Sequence, residues 1–175
     1  MIFVVKTVCL FVFGLLCSCS GSQNGREGKG TELPRDVSIE MNKRLVVEEQ
    51  KRIEKYIKDN ELTMYRTETG LWYNISKEGL GDQVKKGKYV TLNYSVRLLD
   101  ETLLYSSDEK GAKEFLVGQG GVESGLEEGI LMLKKGSKAQ FIMPSHLAHG
   151  LIGDDNKIPS RAVLLYDVEV VKISD

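Results

Sequence analysis

The chain has no cysteine beyond residue 19: Cys9, Cys17 and Cys19 are its only three. Its folded part therefore has no disulfide, no thiol nucleophile and no cysteine to hold a metal. A basic excess is missing too. With 24 Lys and Arg against 25 Asp and Glu, the net charge is -1 and the pI is near 6.2. That leaves little positive charge to neutralise phosphates, which excludes nucleic acid as a partner. Long apolar runs are also lacking. Residues 1–16 are almost wholly apolar with Lys6 as their only charge, but the run is unbroken only from Val8 to Leu16. A membrane-spanning helix needs about 20 such residues, whereas the apolar core of a signal peptide needs roughly half of that.

Three further absences concern chemistry. His146 and His149 are spaced like a fragment of a metal site, but a third ligand and a helical frame are wanting, so no metal is expected. Gly118-Gln119-Gly120-Gly121 is followed by no Lys-Ser or Lys-Thr, and no βαβ unit surrounds it. It is read as a loop entering a helix and not as a phosphate cradle. Ser145-His146 lacks the strand-turn-helix setting of a hydrolase nucleophile.

What is present is globular: 175 residues, 41% hydrophobic and 28% charged, enough for one domain with appendages. Leu16-Cys17-Ser18-Cys19 resembles a bacterial lipobox, with Leu16 three residues before Cys19 and the small Ser18 just before it. The expectation is a lipoprotein signal peptide over 1–18, a lipid on Cys19 and a Gly-rich polar tether over 19–35 that holds the domain clear of the bilayer. The product would be exported and lipid-anchored to a bacterial membrane, facing the periplasm or at the surface.

Residues 36–60 read as a helix, with Glu40 and Arg44, Glu48 and Arg52, and Glu54 and Lys58 at i,i+4 spacing and an apolar stripe of Val46, Ile53 and Ile57. Such a helix packs on its own domain, pairs with a second copy as a homodimer, or meets a client. From 63 the period changes. Residues 63–67 and 71–76 are short and rich in Thr, Tyr and Trp, with Glu68-Thr69-Gly70 as the turn of a hairpin. Val90, Leu92, Tyr94, Val96 and Leu98 alternate with polar residues in the clearest strand. Further strands are expected over 138–143 and 163–173. Between them Val122, Leu126, Ile130 and Leu133 recur at helical spacing, with Glu123, Glu127 and Glu128 early, Lys134 and Lys135 late, and Gly136 as the stop. One short helix against an antiparallel sheet is an α+β architecture.

These landmarks carry a resemblance. Val84-Lys85-Lys86-Gly87, Leu92-Asn93-Tyr94, Ser106-Ser107, Gly125-Leu126-Glu127-Glu128-Gly129, Lys135-Gly136, Ala148-His149-Gly150, Ile158-Pro159 and Tyr166-Asp167-Val168-Glu169 stand in the order and spacing of the FKBP-type peptidyl-prolyl cis/trans isomerases. Thr69-Gly70-Leu71-Trp72-Tyr73 is similar to the lead-in of bacterial members, which starts the domain at 63 and carries it to 175. The resemblance implies an antiparallel sheet half-wrapped around one short helix, with a shallow apolar pocket between them. It also implies rotation about the peptide bond before proline in unfolded or extended polypeptides.

That bond faces a barrier of about 18–20 kcal/mol from amide resonance. No covalent bond breaks, so no nucleophile, metal or cofactor is implied; a dry pocket that prefers the twisted amide suffices. By position, the resemblance assigns Tyr94, Tyr105 and His149 as catalytic and Leu104, Phe115, Val122, Glu123, Leu126, Ile158 and Tyr166 as substrate-binding.

Several positions depart from the family. Leu104-Tyr105 replaces a Phe-Asp pair, which removes an aromatic wall and a pocket carboxylate. Leu126 stands for the usual tryptophan floor, Lys113 for a rim aromatic, Glu123 for an isoleucine and His149 for a tyrosine able to donate to the substrate carbonyl. Lys113 and Glu123 are read as two solvated rim charges worth little to each other. The expected function is a membrane-anchored isomerase of reduced activity that assists folding of exported proteins; the alternative is a non-catalytic chaperone or peptide-binding module.

Overall fold

A computed structural model describes residues 35–175. The expected signal peptide, the lipid-bearing Cys19 and all but the last residue of the tether lie outside the described residues. In chain order, helix α1 spans Arg35–Asp59, β1 Tyr65–Arg66, β2 Trp72–Lys77, β3 Tyr89–Leu98 and β4 Leu103–Ser106. A single turn, α2, follows at Ser107–Lys110, then β5 at Lys113–Leu116, α3 at Ser124–Ile130, β6 at Lys138–Met143 and β7 at Leu164–Ser174. All seven strands join one antiparallel sheet in the order β1-β2-β6-β7-β3-β4, with β5 also on β3.

The long strands β3 and β7 pair from Tyr89 opposite Ser174 to Leu98 opposite Leu164. Because successive side chains point to opposite faces, this register divides the apolar residues into two sets. Val90, Leu92, Val96, Phe141, Leu164, Tyr166, Val168 and Val170 face the main core, where Leu126 and Ile130 of α3 cover them. Ile142, Val163 and Leu165 face the other way and meet Ile53, Tyr56 and Ile57 of α1, with Trp72 and Leu99 beside them. The indole of Trp72 carries the Arg66 guanidinium 5.9 Å from its ring centroid.

Helix α1 thus packs on its own domain through Ile53, while Val46, expected in the same stripe, is 49% exposed. Seven residues are nearly two full turns, so both lie on almost the same face; Val46 is exposed because the apolar contact is made only by the helix's C-terminal half, at Ile53, Tyr56 and Ile57. Of the expected ion pairs, Glu40 and Arg44 meet at 3.5 Å, whereas Glu54 accepts instead from Gln50.

Helix α3 is shorter than its sequence pattern predicts: it ends at Ile130, and Gly136 (φ 88°) lies in the tight turn before β6. The reason is a competing set of backbone bonds. Val84 N–H donates to the Leu133 carbonyl, Lys135 N–H to the Asp82 carbonyl and Gly81 N–H to the Lys135 carbonyl. Those bonds draw residues 133–135 into an antiparallel bridge, Gln83 opposite Lys134, and Lys134 pairs with Glu78 instead of lying at the helix end. The glycines of α3 are there for packing: a Cβ at Gly129 would lie 2.6 Å from the Phe141 ring.

Ile53 is fully buried and is the side chain by which α1 enters its cluster. Ile53→Ala is expected to destabilise the domain by about 2–4 kcal/mol in urea unfolding, the range for a large-to-small core change. A loss within experimental error would show that α1 is not integral to the folded unit.

Candidate peptide-binding site

The expected site residues come from six elements. Tyr94 comes from β3, Leu104 and Tyr105 from β4, Phe115 from β5, Leu126 from α3 with Val122 and Glu123 just before it, and Tyr166 from β7. His149 and Ile158 come from the loop 144–163 that joins β6 to β7. Leu104, Phe115, Leu126, Ile158 and Tyr166 are buried members of the main core, and Tyr94, Tyr105 and Val122 pack against it while keeping some exposure. This part of the core is aliphatic at Leu126 and carries Tyr94, Tyr105 and Tyr166 around it.

At the centre is a carboxylate. Glu123 is the N-cap residue of α3, and with an extended backbone (φ -59°, ψ 140°) it turns its side chain inward, where it is only 7% exposed. Tyr166 Oη donates to Glu123 Oε1, and His149 Nε2 lies 3.1 Å from the same oxygen. Lys113 Nζ approaches the other oxygen, Oε2, to 3.8 Å while standing 5.3 Å from the Tyr94 ring centroid. Among the described residues, Oε2 finds no hydrogen-bond donor. Burial alone would raise the Glu123 carboxyl, but the Lys113 charge and the Tyr166 hydroxyl outweigh it and hold it below its ordinary range. Burial and then the Glu123 charge push the Tyr166 phenol far up. The same two causes raise Tyr94.

This corrects one expectation. Lys113 and Glu123 are not both solvated rim charges, because the Glu123 side chain is buried against Tyr166.

The Tyr105 hydroxyl is engaged at the loop that follows the site. It donates to Asp154 Oδ2 and accepts from Asn156 Nδ2 at 3.2 Å, and Lys110 and Lys157 stand over the Tyr105 ring at 4.0 and 5.3 Å. The hydrogen bond to Asp154 raises its phenol. Asp154 Oδ1 meanwhile accepts from the N–H groups of Ile158 (2.7 Å) and Asn156 (3.0 Å), shaping the turn that delivers Ile158. Gly153 makes that turn possible: at φ 87° a Cβ would lie 2.2 Å from the Ile158 carbonyl oxygen. Asp154 and Asn156 escaped the sequence reading, although the Gly153-Asp154 turn signal was there to be seen.

The loop leading into α3 is held by Glu127, which accepts from Gly118 N–H at 2.8 Å and Gly120 N–H at 3.2 Å. The two histidines diverge, His146 Nε2 meeting the Thr69 carbonyl at 3.0 Å. Among the described residues no three His, Cys, Asp or Glu side chains gather to hold a metal ion. Chemically, the face offers an apolar bed with tyrosine walls and one partnered carboxylate, suited to an extended, uncharged peptide segment.

The family model described as FKBP-type peptidyl-prolyl cis-trans isomerase matches residues 81–171. The chain is 36% identical over 139 residues to the probable FKBP-type peptidyl-prolyl cis-trans isomerase FkpA of Neisseria meningitidis serogroup B, covering 78% of this chain and 50% of that protein. It is 33% identical over 111 residues to FK506-binding protein 2 of Yarrowia lipolytica, covering 63% of this chain and 77% of that one. Among solved structures, FkpA from Escherichia coli superposes with a TM-score of 0.65 at 29% identity, over 78% of this chain and 64% of that one. The chain spans about half the length of the bacterial relatives it matches.

Glu123 gives the site an acid dependence whose sign follows from its lowered pKa. Its folded value lies below the ordinary 4.5, so its contribution to stability is present above about 4.5 and is lost as pH falls through the folded value. Urea midpoints taken from pH about 6 to about 3 should fall less steeply in Glu123→Gln than in the parent. Equal slopes would mean that the carboxylate is not held as described.

Proposed function

Because the chain belongs to the family of FKBP-type peptidyl-prolyl cis-trans isomerases, we propose that it catalyses cis/trans rotation about the peptide bond before proline in unfolded or extended polypeptides. Its residues 63–175 form the isomerase domain. The observation that carries this reading is the convergence of Tyr94, Phe115, Val122, Leu126, Ile158 and Tyr166 on one apolar face beside α3.

A proline ring and its preceding amide are uncharged and lose water readily, so an apolar bed binds them and removes solvent from the amide as it twists. Resonance is lost at the twist, and every 1.4 kcal/mol or so by which the site prefers the twisted amide speeds rotation about tenfold. Val122 and Leu126 floor the ring, Tyr94 and Tyr166 flank it, and the backbone N–H beside Val122 anchors the peptide. His149 donates to a substrate carbonyl on leaving Glu123. Tyr105 acts at one remove, by holding the turn that carries Ile158.

A second reading is favoured by one observation: His149 and Tyr105 are both engaged with acidic partners, Glu123 and Asp154. A site whose polar groups are satisfied internally binds extended segments without accelerating rotation, which makes the chain a peptide-binding chaperone. In either case the setting is export: signal peptide over 1–18, lipid on Cys19 and attachment to a bacterial membrane. The exposed Val46 side of α1 serves a client or a second copy.

In a protease-coupled assay on a set of Xaa-Pro peptides, the protein should accelerate cis/trans conversion, and Tyr94→Ala should lower kcat/KM by about tenfold or more. Binding of the same peptides without acceleration of any would favour the chaperone reading. Replacing Cys19 by Ser should release the protein from the membrane fraction into the soluble one; unchanged partition would refute the anchor.

A further inference from the structure

Helix α1 lies outside the segment that the family model matches, yet it puts a buried carboxylate against the loop that carries His149 and Ile158. We propose that Glu49 is a positioning residue for the peptide site, acting through that loop; the proposal rests on the isomerase reading for its effect on rate, but not for its effect on the loop. Glu49 is 5% exposed. Its carboxylate accepts from Ser145 Oγ at 2.8 and 2.9 Å, from Ser145 N–H at 3.1 Å and from Arg161 Nη2 at 3.1 Å. All these donors sit near the two ends of the loop 144–163, and none sits on a strand.

The two gripped residues converge in turn on one backbone unit. The Ser145 carbonyl accepts from Gly150 N–H at 2.8 Å, and Arg161 N–H donates to the Gly150 carbonyl at 3.0 Å. Gly150 adjoins His149, whose ring reaches Glu123 in the site. A chain of hydrogen bonds thus runs from α1 through Ser145 and Arg161 to Gly150, and so to His149.

The backbone along this chain needs holding. Gly150 has φ 63° and Arg161 φ 58°. Glycine takes that left-handed conformation freely, but arginine does not, and it persists only where the surroundings enforce it. The Glu49–Arg161 pair is such an enforcement.

Seating α1 does not by itself explain Glu49. Ile53, one turn further on, already packs α1 into its own apolar cluster with Val163. A carboxylate at 49 adds a desolvation cost that an apolar residue would avoid, and what it returns is a fixed spacing between the loop's two ends.

The test uses the full chain with Glu49→Gln, and with Glu40→Gln, an exposed α1 position, as the control. Amide hydrogen exchange should quicken by about tenfold over 145–161 in Glu49→Gln, while β3 and β7 keep the parent's protection and Glu40→Gln changes neither. Exchange that rises equally across loop and strands, or not at all in the loop, would overturn the proposal.

In the peptide assay Glu49→Gln should lower kcat/KM by about three- to tenfold, and that loss should disappear when His149→Ala is already present. An equal loss in both backgrounds would mean that Glu49 supports the fold alone, and would refute the role in rate. Should the parent chain accelerate no peptide, the isomerase reading falls, and the exchange experiment still decides whether Glu49 sets the loop.

Discussion

The pairing of β3 with β7 is the constraint from which the rest of the domain follows. Side chains of a strand alternate in direction, so fixing Val96 opposite Tyr166 and Arg97 opposite Leu165 also fixes which residues face α3 and which face α1. Strand β7 is apolar on both faces at its start, where Leu164, Leu165 and Tyr166 are all buried in succession. An antiparallel sheet commonly leaves one face in water; here that end is covered twice, by α3 on one side and α1 on the other. The candidate site and the helix contact are therefore back to back across a single layer of backbone. A one-residue slip of β7 would exchange their side chains.

Two buried carboxylates then shape what the layer carries. An ion withdrawn from water costs about several kcal/mol unless charged and hydrogen-bonded partners replace the solvent. Glu123 finds Tyr166, His149 and Lys113; Glu49 finds Ser145 and Arg161. In each case the partners belong to elements far apart in sequence, so the need to satisfy one charged group fixes several segments at once. At the N-cap of α3, Glu123 ties down Tyr166 and His149 together, while Tyr105, at the position where the resemblance places an aspartate, holds the 150s turn through Asp154.

Much of the fold was legible in the sequence because its signals are local. The alternation of Val90, Leu92, Tyr94 and Val96 is a property of consecutive residues, and the hairpin about Gly70 and the strand over 138–143 announce themselves in the same way. Where tertiary bonds compete with local pattern, legibility fails. The helical spacing of Leu126, Ile130 and Leu133 continues past Ile130, but the backbone there is claimed by residues 81–84, and nothing near Leu133 reveals it. The apolar members of the candidate site are assigned from family position alone. The polar network was not legible. Glu49 reads as one more charge on an amphipathic helix until Ser145, 96 positions later, is folded against it. Glu123 and Lys113 likewise read as surface charges, since burial is decided by the direction of a single N-cap residue.

The back-to-back layout has an optical corollary. Trp72 is the sole tryptophan, and its indole lies among the α1 cluster with Ile142 and Leu165, on the side of the sheet opposite Leu126 and Tyr166. Members of the family with an indole on the pocket floor carry a fluorophore in contact with ligand. In this chain Leu126 stands there instead, and the one indole sits in the helix contact. Tryptophan emission, excited apart from the tyrosines, would therefore report on the seating of α1 and not directly on the opposite face.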